Sequence, residues 1–527
     1  MSVRSKIGAL ILPPDIELRN RRFELLVWSF LLSLAYYPGW FGFLAWFSLA
    51  RPFMIIAKLR GRQAFNAAYF FGFFFNAFSL YWVWLVTPPG ALAAVMIVAL
   101  YYAIVLLAFN RLYQWRPLAG IIGAPLLWVG MEYFRTLSQF AFPWSDLGYT
   151  QSYYLYILQI VSVVSVHGLS LLIVIVNVLV WQVWRHDQAA ERRVTAAFAS
   201  FAIVLGLLAY GWIELPPYPQ QGRYGVALLQ GSVPLDIKWE LENEGYSVKL
   251  YDSLAQTVAD SSIKLQVWPE SAAPCYLSID QYCRRMVGET ARKTRALHLV
   301  GGLRKDVVGK VQHHYNSCFL FEPSGRMGAH YDKMKLVPFS ETVPYQDNMP
   351  FLKRDILTKY LTLIDRYDIQ WWSDFYPGDS IHLFELPDVT FGVLICFEST
   401  FPEFARQMVR DGAGFLVGIT NDTWFGSSVG IHMHSRIFLT RAVENRCWMA
   451  RAANTGLTYI VDPYGRIREQ LPHNAVAALK GKVGLLDQYT FFTRHGDLAG
   501  RFSFLVLVSV LTILPAIWLI RKFLLRR

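Results

Sequence analysis

The stretch Phe391-Gly-Val-Leu-Ile-Cys-Phe-Glu-Ser-Thr400 places a lone cysteine at the end of an apolar run. The run predicts a buried strand, and Pro402 predicts that a helix follows from Pro402 to Asp411. A turn between a strand and a helix can expose a nucleophile while the scaffold holds it rigid. Cys396 is therefore a candidate nucleophile. The alternative is a free cysteine packed as a small hydrophobic residue, which is the commoner role of cysteine.

Two other stretches carry the groups that a nucleophilic cysteine needs. Val267-Trp-Pro-Glu-Ser271 places Glu270 directly after a predicted strand, and Tyr331-Asp-Lys-Met-Lys-Leu-Val-Pro-Phe-Ser-Glu341 contains Lys333. A thiol has a pKa of about 8.5, so a base must take its proton before it attacks a carbonyl. A cation then stabilises the oxyanion. Glu270 and Lys333 would supply both groups, unless Glu270 caps a helix and Lys333 is a solvated surface charge.

Composition divides the chain into membrane and water-soluble parts. Of the 527 residues, 54% are hydrophobic and 17% are charged, which is more apolar than a typical soluble chain. The sequence predicts an N-terminal membrane domain of about seven helices (1–213), an α/β domain (214–500), and a C-terminal transmembrane helix with a basic tail (501–527). The net charge of +12 is spread between apolar segments and forms no patch, so no nucleic-acid partner is predicted.

Eight apolar segments are predicted to span a membrane, with a re-entrant pair as the alternative for the first two, which only Pro38-Gly39 separates. They are Leu25–Tyr37, Trp40–Ala57, Asn66–Val86, Ala91–Leu107, Leu118–Phe134, Leu155–Val183, Val194–Trp212 and Phe502–Ile520. Arginine and lysine collect in one alternate set of loops, so both termini are expected in the cytoplasm and residues 214–500 on the far side. Glu132, inside the fifth span, is equally compatible with a functional role and with helix packing.

The middle part alternates short apolar strands with amphipathic helices, which indicates a layered α/β fold. The predicted strands are Tyr224–Gln230, Leu265–Pro269, Leu297–Leu303, Ser317–Phe321, Val389–Ile395, Gly414–Thr420, Trp448–Ala452 and Leu457–Val461. The predicted helices are Asn243–Ser261, Asp280–Thr294, Phe401–Asp411 and Met433–Arg446. His432 and His434 are two residues apart on a helix and would point in different directions. Since no other metal-ligand spacing is seen, neither a metal nor a cofactor is predicted.

In this order and in these contexts, Glu270, Lys333 and Cys396 resemble the Glu–Lys–Cys triad of the nitrilase superfamily. Together with the spans, the chain resembles the bacterial apolipoprotein N-acyltransferases, a membrane-embedded family of that superfamily. The resemblance covers essentially the whole chain and implies a polytopic α-helical membrane protein with an inserted nitrilase-like αββα sandwich domain. Further matching stretches are Gln230-Gly-Ser-Val-Pro with Lys238-Trp239, Phe142-Pro-Trp with Gly148-Tyr-Thr-Gln151, Asn421-Asp-Thr-Trp-Phe-Gly426, Arg441-Ala-Val-Glu-Asn-Arg446 and Ala453-Asn-Thr-Gly456.

This resemblance implies an activity, its partners and its place in the cell. The activity is the phospholipid-dependent N-acylation of the N-terminal diacylglyceryl-cysteine of apolipoproteins, through a thioester on Cys396. The implied partners are a phospholipid acyl donor, a diacylglyceryl apolipoprotein acceptor and the lipid bilayer. The implied location is the bacterial inner membrane, with the catalytic domain on the periplasmic side.

The resemblance also assigns roles to residues around the triad. Glu341 and Glu398 resemble the supporting glutamates of the family, and Trp239 resembles its substrate-gating tryptophan. Phe397 stands where the family usually has tyrosine, and Ser340 where it has glycine. Phe397 is expected to contact substrate, although the departure removes the phenol.

The segment Tyr345–Pro377 is rich in apolar residues, including Trp371 and Trp372 side by side. A soluble enzyme rarely exposes such a loop to water. The segment is therefore expected to be a lid that dips into the outer leaflet and binds the lipid substrate. The alternative is a packed structural loop.

Two rival functions stay open at this point. A membrane-tethered amidase would use the same triad with water as the second nucleophile. A transporter or binding module would need paired charges within the spans, where only Glu132 is seen.

The remaining cysteines, Cys275, Cys283, Cys318 and Cys447, all lie in the α/β domain. Cys275 and Cys283 are close enough in sequence to bridge, but sequence cannot fix a pairing. All four are expected to be buried free thiols, because a disulfide near a reduced Cys396 invites thiol–disulfide exchange.

Overall fold

The computed structural model describes residues 16–86, 88–239, 245–309, 311–346, 349 and 374–524. The chain forms two compact units. The first comprises residues 1–136, 143–214 and 497–527, and the second comprises residues 137–142 and 215–496.

The first unit is helical. Its helices are α1 (Ile16–Leu34), α2 (Ala50–Lys58), α3 (Gly61–Ser79), α4 (Val83–Val86), α5 (Pro88–Trp115), α6 (Pro117–Phe134), α7 (Leu155–Leu158), α8 (Val161–Trp184), α9 (Ala190–Glu214) and, at the other end of the chain, Leu498–Leu524. Short 3₁₀ segments at Trp40–Trp46 and Leu147–Gln151 complete it. Long apolar runs without polar interruption favour helices here, because a helix satisfies its own backbone groups.

Six helices among the described residues are long and apolar enough to cross a membrane. They are Trp40–Lys58, Gly90–Trp115, Pro117–Phe134, Val161–Trp184, Ala190–Glu214 and Leu498–Ile517. The predicted spans Leu25–Tyr37 and Asn66–Val86 overlap helices α1 and α3, which are not among the six. Arginines in α1 and asparagines in α3 lower their mean hydropathy. The number of crossings therefore stays a prediction.

Polar side chains inside the first unit bond to neighbouring segments. Asn177 accepts a hydrogen bond from the backbone amide of Leu49 and donates one to the carbonyl of Ala45, both at 2.7 Å. The carboxylate of Glu132 accepts from Trp128 Nε1 at 2.8 Å and from the amide of Leu147 at 3.0 Å. These contacts favour the packing role of Glu132 over a functional one.

The second unit contains two six-stranded sheets. Their strands are β1 (Tyr224–Gln230), β2 (Leu265–Val267), β3 (Leu297–Val308), β4 (Val311–Phe321), β5 (Met327–Asp332), β6 (Leu383–Leu386), β7 (Val389–Ile395), β8 (Phe415–Thr420), β9 (Met449–Ala453), β10 (Tyr459–Val461), β11 (Ile467–Gln470) and β12 (Ala477–Val483). The orders are β12-β1-β2-β3-β4-β5 and β11-β10-β9-β8-β7-β6. Neighbours β1, β2 and β3 run parallel, as do β7, β8 and β9. Parallel strands bring their carboxyl ends to the same edge, where loops can build a site.

Helices cover the sheets. They are α10 (Leu235–Trp239), α11 (Tyr246–Thr257), α12 (Gln281–Thr294), α13 (Pro402–Arg410), α14 (Val429–Asn445) and α15 (Phe491–His495), and the first unit's last helix, Leu498–Leu524, is α16. Residues of α11 and α12 share a buried cluster with the first sheet, in which the rings of Tyr251 and Trp268 stack 5.2 Å apart. The sheets meet where the rings of Tyr224 and Phe415 lie 5.9 Å apart. The predicted helix and strand layers are present.

A disulfide joins Cys275 and Cys283, so the expectation of free thiols at these two positions is wrong. Cys275 follows the loop after β2, and Cys283 lies in the first turn of α12. Asp280 caps that helix by accepting from the amide of Cys283 at 3.0 Å, which brings the two sulfurs together. Cys318 and Cys447 are buried free thiols, as expected. The expectation assumed that a disulfide near Cys396 would exchange with its thiol. This bridge is distant in sequence from Cys396, so that argument does not apply to it.

The segment 137–142 belongs to the second unit although it follows α6 in the chain. The amide of Tyr345 donates to Gln139 Oε1 at 2.5 Å. The ring of Phe140 lies 6.0 Å from that of Phe339 and 5.4 Å from that of Tyr345. This segment therefore packs against the loop that follows Lys333.

Candidate active site

The three residues of the predicted triad each follow a strand. Glu270 comes shortly after β2, Lys333 directly after β5, and Cys396 directly after β7. The first two belong to one sheet and Cys396 to the other. The structure brings them together, because the charges of Glu270 and Lys333 both act on the thiol of Cys396.

Cys396 begins a tight 3₁₀ turn, Cys396–Thr400, that precedes α13. Its φ of 51° lies in the left-handed region, which a residue with a Cβ rarely adopts. Such a conformation persists where surrounding contacts enforce it, commonly at functional sites. The side chain is half-buried. Burial and the Glu270 carboxylate raise the pKa of the Cys396 thiol, with Lys333 opposing, so the resting thiol is protonated and needs a base.

Glu270 is the residue predicted to act as that base. Its Oε1 accepts from Asn316 Nδ2 at 2.7 Å and from Lys333 Nζ at 3.1 Å, and its Oε2 accepts from the amide of Asn421 at 2.9 Å. Burial alone would raise the pKa of Glu270, but Lys333 and these hydrogen bonds hold it below its usual value. The carboxylate is therefore ionised at neutral pH.

Lys333 is fully buried between two carboxylates. Its Nζ lies 3.1 Å from Glu270 Oε1 and 2.9 Å from Glu341 Oε1. Burial opposes the charge, but Glu270 and Glu341 raise the pKa of Lys333 well above its usual value. The site thus holds a permanent cation next to Cys396, as oxyanion stabilisation requires.

Glu341 and Asn316 orient this cation. The Oε2 of Glu341 accepts from the amide of Val337 at 2.8 Å, which ties the loop after Lys333 to the carboxylate. Asn316 Nδ2 donates to Glu270 at 2.7 Å and to Glu341 at 3.0 Å. The backbone carbonyl of Asn316 accepts from the backbone amide of Lys333 at 2.8 Å. Sequence reasoning missed Asn316. A buried asparagine at the start of an apolar strand was the available signal.

Glu398 is fully buried, and its hydrogen bonds lie outside this charge cluster although the charge of Lys333 acts on it. Its Oε1 accepts from Tyr331 Oη and from the amide of Met334, both at 2.7 Å, and its Oε2 accepts from the amide of Ile395 at 2.8 Å. Burial raises the pKa of Glu398 to about 7 against these hydrogen bonds. Its place is structural support between β5 and β7.

Residues 225–483 match the family model for carbon-nitrogen hydrolases, and residues 29–179 match that for the apolipoprotein N-acyltransferase N-terminal domain. An apolipoprotein N-acyltransferase of Geobacter metallireducens is 34% identical over 92% of this chain and 94% of its own length. The chain belongs to the apolipoprotein N-acyltransferase family. The suggested family and the predicted fold class, a helical membrane protein with an inserted nitrilase-like α/β domain, are confirmed.

More distant members of the apolipoprotein N-acyltransferase family agree in coverage. Those of Chlorobaculum tepidum and Pseudomonas putida are each 28% identical, over 86% and 88% of this chain and 88% and 90% of their own lengths. Among solved structures, an amidase of the nitrilase superfamily from Nesterenkonia AN1 aligns with 51% of this chain and 93% of its own at 17% identity, with a TM-score of 0.36.

Four further residues are predicted to contact substrate in this family member, namely Phe397, Trp371, Trp372 and Trp239. The ring of Phe397 is buried and lies 5.1 Å from that of Phe401, so its contact with substrate stays a prediction. Trp371 and Trp372 lie outside the described residues, as does the side chain of Trp239 at the end of α10.

Lys238, on α10, stands in a stretch that matches the family, but the sequence assigns it no role. It is 3% exposed, and its Nζ donates to the backbone carbonyl of Glu270 at 3.3 Å. Burial lowers the pKa of Lys238 to about 7, with Glu270 opposing. A second amine therefore lies beside Glu270 in this apolipoprotein N-acyltransferase family member. The match of Lys238-Trp239 to the family was the available signal.

Proposed function

We propose that this protein transfers an acyl chain from a phospholipid to the N-terminal diacylglyceryl-cysteine of apolipoproteins. The observation that carries the proposal is the buried cluster of Glu270, Lys333 and Glu341 acting on Cys396, in a chain of the apolipoprotein N-acyltransferase family. Catalytic roles for Glu270, Lys333 and Cys396, and supporting roles for Glu341 and Glu398, are part of the proposal.

The first half-reaction acylates the enzyme. Glu270 takes the thiol proton of Cys396 as the sulfur attacks the sn-1 ester carbonyl of the phospholipid. The ammonium of Lys333 stabilises the tetrahedral oxyanion. When the ester bond breaks, Glu270 returns the proton to the leaving oxygen, and a lysophospholipid departs. The acyl chain is then held as a thioester.

The second half-reaction resolves the thioester. The α-amine of the diacylglyceryl-cysteine attacks the thioester carbonyl, and Glu270 takes one proton from the amine. An amide bond forms, the carbon–sulfur bond breaks, and the thiol of Cys396 regains its proton from Glu270. Donor and acceptor thus use the same nucleophile in turn, which is a ping-pong mechanism.

We propose that the second unit works on the periplasmic side of the bacterial inner membrane, with both termini cytoplasmic. The loop charges support this orientation through the positive-inside rule. The disulfide between Cys275 and Cys283 supports it independently, because disulfides persist in the periplasm and are rare in the cytoplasm. A membrane-impermeant thiol reagent should therefore label a cysteine introduced on this unit in intact spheroplasts; labelling only after lysis would contradict the orientation.

Access for lipid is proposed along the loop after Lys333. Phe140 and Phe339 are 40% and 45% exposed although their rings contact each other. Exposed aromatic rings beside an active site suit acyl chains better than water. The segment Tyr345–Pro377 with Trp371 and Trp372, together with Trp239 and Phe397, is proposed to complete this route.

The deciding experiment follows labelled acyl chains. Purified protein incubated with phospholipid labelled in the sn-1 chain should gain the label on Cys396, as seen by mass spectrometry, and release it to a diacylglyceryl-cysteine peptide as an amide. A membrane-tethered amidase would hydrolyse short amides and take no label from phospholipid. That result would replace the proposed function with amide hydrolysis.

A further inference from the structure

A buried histidine lies behind the turn that carries Cys396. His434, on α14, is 1% exposed. Its Nε2 lies 3.1 Å from the backbone carbonyl oxygen of Cys396 and 3.0 Å from Ser399 Oγ. Its Nδ1 lies 2.9 Å from Asp422 Oδ1. The proposed mechanism uses none of these contacts.

Asp422 and Arg451 contact the Nδ1 side of the His434 ring. Asp422 Oδ2 accepts from Arg451 Nη2 at 2.7 Å, and Asp422 Oδ1 accepts from Thr420 Oγ1 at 2.9 Å. Arg451 Nη2 also lies 3.3 Å from His434 Nδ1. The charged groups that face His434 are thus Asp422, from the turn after β8, and Arg451, from β9. The charges of Glu270, Lys333 and Asp422 all act on the thiol of Cys396.

The backbone carbonyl of Cys396 decides the role of one ring nitrogen. A carbonyl oxygen can only accept a hydrogen bond, so His434 donates from Nε2 to Cys396. Nδ1 lies beside both Asp422 and Arg451. Burial would raise the pKa of Asp422, but Arg451 and His434 hold it well below its usual range, so the carboxylate stays available as the acceptor.

We propose that His434 is a positioning residue that fixes the turn at Cys396 through its carbonyl. The left-handed φ of 51° at Cys396 is unfavourable for a residue with a Cβ, so outside contacts must enforce it. Two hydrogen bonds reach the carbonyl of this residue, one from His434 Nε2 and one from Ser399 Oγ at 2.8 Å. His434 thereby aims the thiol at the space beside Glu270 and Lys333. The inference rests on the proposed role of Cys396 as nucleophile.

Two conservative variants separate the roles of the two ring nitrogens of His434. His434→Gln keeps a donor near the Nε2 position, and His434→Asn keeps one near the Nδ1 position. The full chain in detergent is treated with iodoacetamide and, separately, with a short-chain p-nitrophenyl ester. Mass spectrometry reports modification of Cys396, and released p-nitrophenol gives the acylation rate. His432→Gln, a half-buried histidine on the same helix, is the matched control.

His434→Gln should stay within about three-fold of the unaltered protein in both rates, whereas His434→Asn should fall about ten-fold, the effect of one lost buried hydrogen bond. His432→Gln should change neither rate. Equal slowing by both variants in proportion to lost thermal stability would show a structural role only and overturn the inference. Unchanged rates in His434→Asn would also overturn it.

If the His434 variants do not fold, Ser399→Ala removes the other hydrogen bond to the same carbonyl. It should slow ester acylation by several-fold, and an unchanged rate would overturn the inference. Failure of the ester to acylate Cys396 in the unaltered protein would instead contradict the proposed function. The iodoacetamide rates would still test the positioning by His434.

Discussion

The carboxylate of Glu398 accepts a hydrogen bond of 2.7 Å from the backbone amide of Met334. Glu398 lies two residues after Cys396, and Met334 directly follows Lys333. The same carboxylate accepts from the amide of Ile395 at 2.8 Å. One buried side chain therefore links two sheets. It connects the turn that begins at Cys396, in one sheet, to the strand end that carries Lys333, in the other.

This link should depend on pH. The pKa of Glu398 is raised by burial from 4.5 to about 7, so the folded protein binds this proton more tightly than the unfolded chain. The resulting stability is fully present below pH 4.5 and is lost as pH rises through 7. Glu398→Gln removes this dependence. The melting temperature of the variant relative to the unaltered protein should rise by about 2–4 °C or more between pH 5 and pH 8. A pH-independent difference in melting temperature would show that Glu398 does not titrate here.

Replacing Cys396 should abolish acyl transfer without unfolding the protein. Cys396→Ser leaves an alcohol that Glu270 is too weak a base to activate, so transfer should fall by at least about 1,000-fold. Labelled phospholipid measures the loss, and thermal melting checks the fold. Cys447→Ala, at a buried free thiol, is the control and should keep transfer. Substantial activity in Cys396→Ser would rule out the thioester.

Replacing Lys333 should lower both the rate of thioester formation and the free energy of unfolding. Lys333→Met leaves Glu270 and Glu341 buried without their common partner, which should lower the free energy of unfolding by about 3–5 kcal/mol. Thioester formation should also be lost. Lys293→Met breaks an exposed ion pair with Asp252 and should cost less than about 1 kcal/mol. Chemical denaturation measures both, and equal losses would contradict the buried charge cluster.

The disulfide should stabilise the region after Glu270. Cys275 and Cys283 are eight residues apart, so breaking the bridge should cost about 2–3 kcal/mol by the loop-entropy relation. Cys283→Ser tests this by thermal melting, with Cys318→Ala as the control. Intact mass should also rise by two hydrogens on reduction, and an unchanged mass would restore the free thiols that the sequence favoured.

Replacing the two tryptophans of the proposed lid should distinguish access of lipid from the membrane from catalysis at Cys396. Trp371→Ser combined with Trp372→Ser should slow acylation by phospholipid in bilayers about ten-fold or more, because tryptophan favours the headgroup region. A soluble short-chain ester should react at the unaltered rate. Equal slowing with both substrates would show that the segment supports the fold.

The sequence predicted central strands and missed outer ones. Strands β1 and β7 were predicted to their exact ends, because continuous apolar runs bounded by turns define buried strands. The unpredicted strands β5, β6, β11 and β12 are the four edges of the two sheets. Edge strands pair on one side only and carry polar residues such as those of β11, Ile467–Gln470, so they show no clear apolar run.

The sequence predicted that Glu270, Lys333 and Cys396 belong to one site, and it also singled out Glu341 and Glu398. Each of the first three follows a strand and stands in a distinctive local context. The sequence did not predict that Asn316 and Lys238 lie within hydrogen-bond distance of Glu270, because only the folded chain brings them there. Such long-range contacts leave no local pattern in the sequence.

The short segment 137–142 has a consequence for the order in which the protein is made. It leaves the ribosome long before residue 215, yet its Gln139 is the acceptor for the amide of Tyr345 and its Phe140 contacts Phe339. The loop after Lys333 can thus close only onto a segment that has already been synthesised and delivered with the helices. A fragment that starts at residue 215 would lack part of its own catalytic unit.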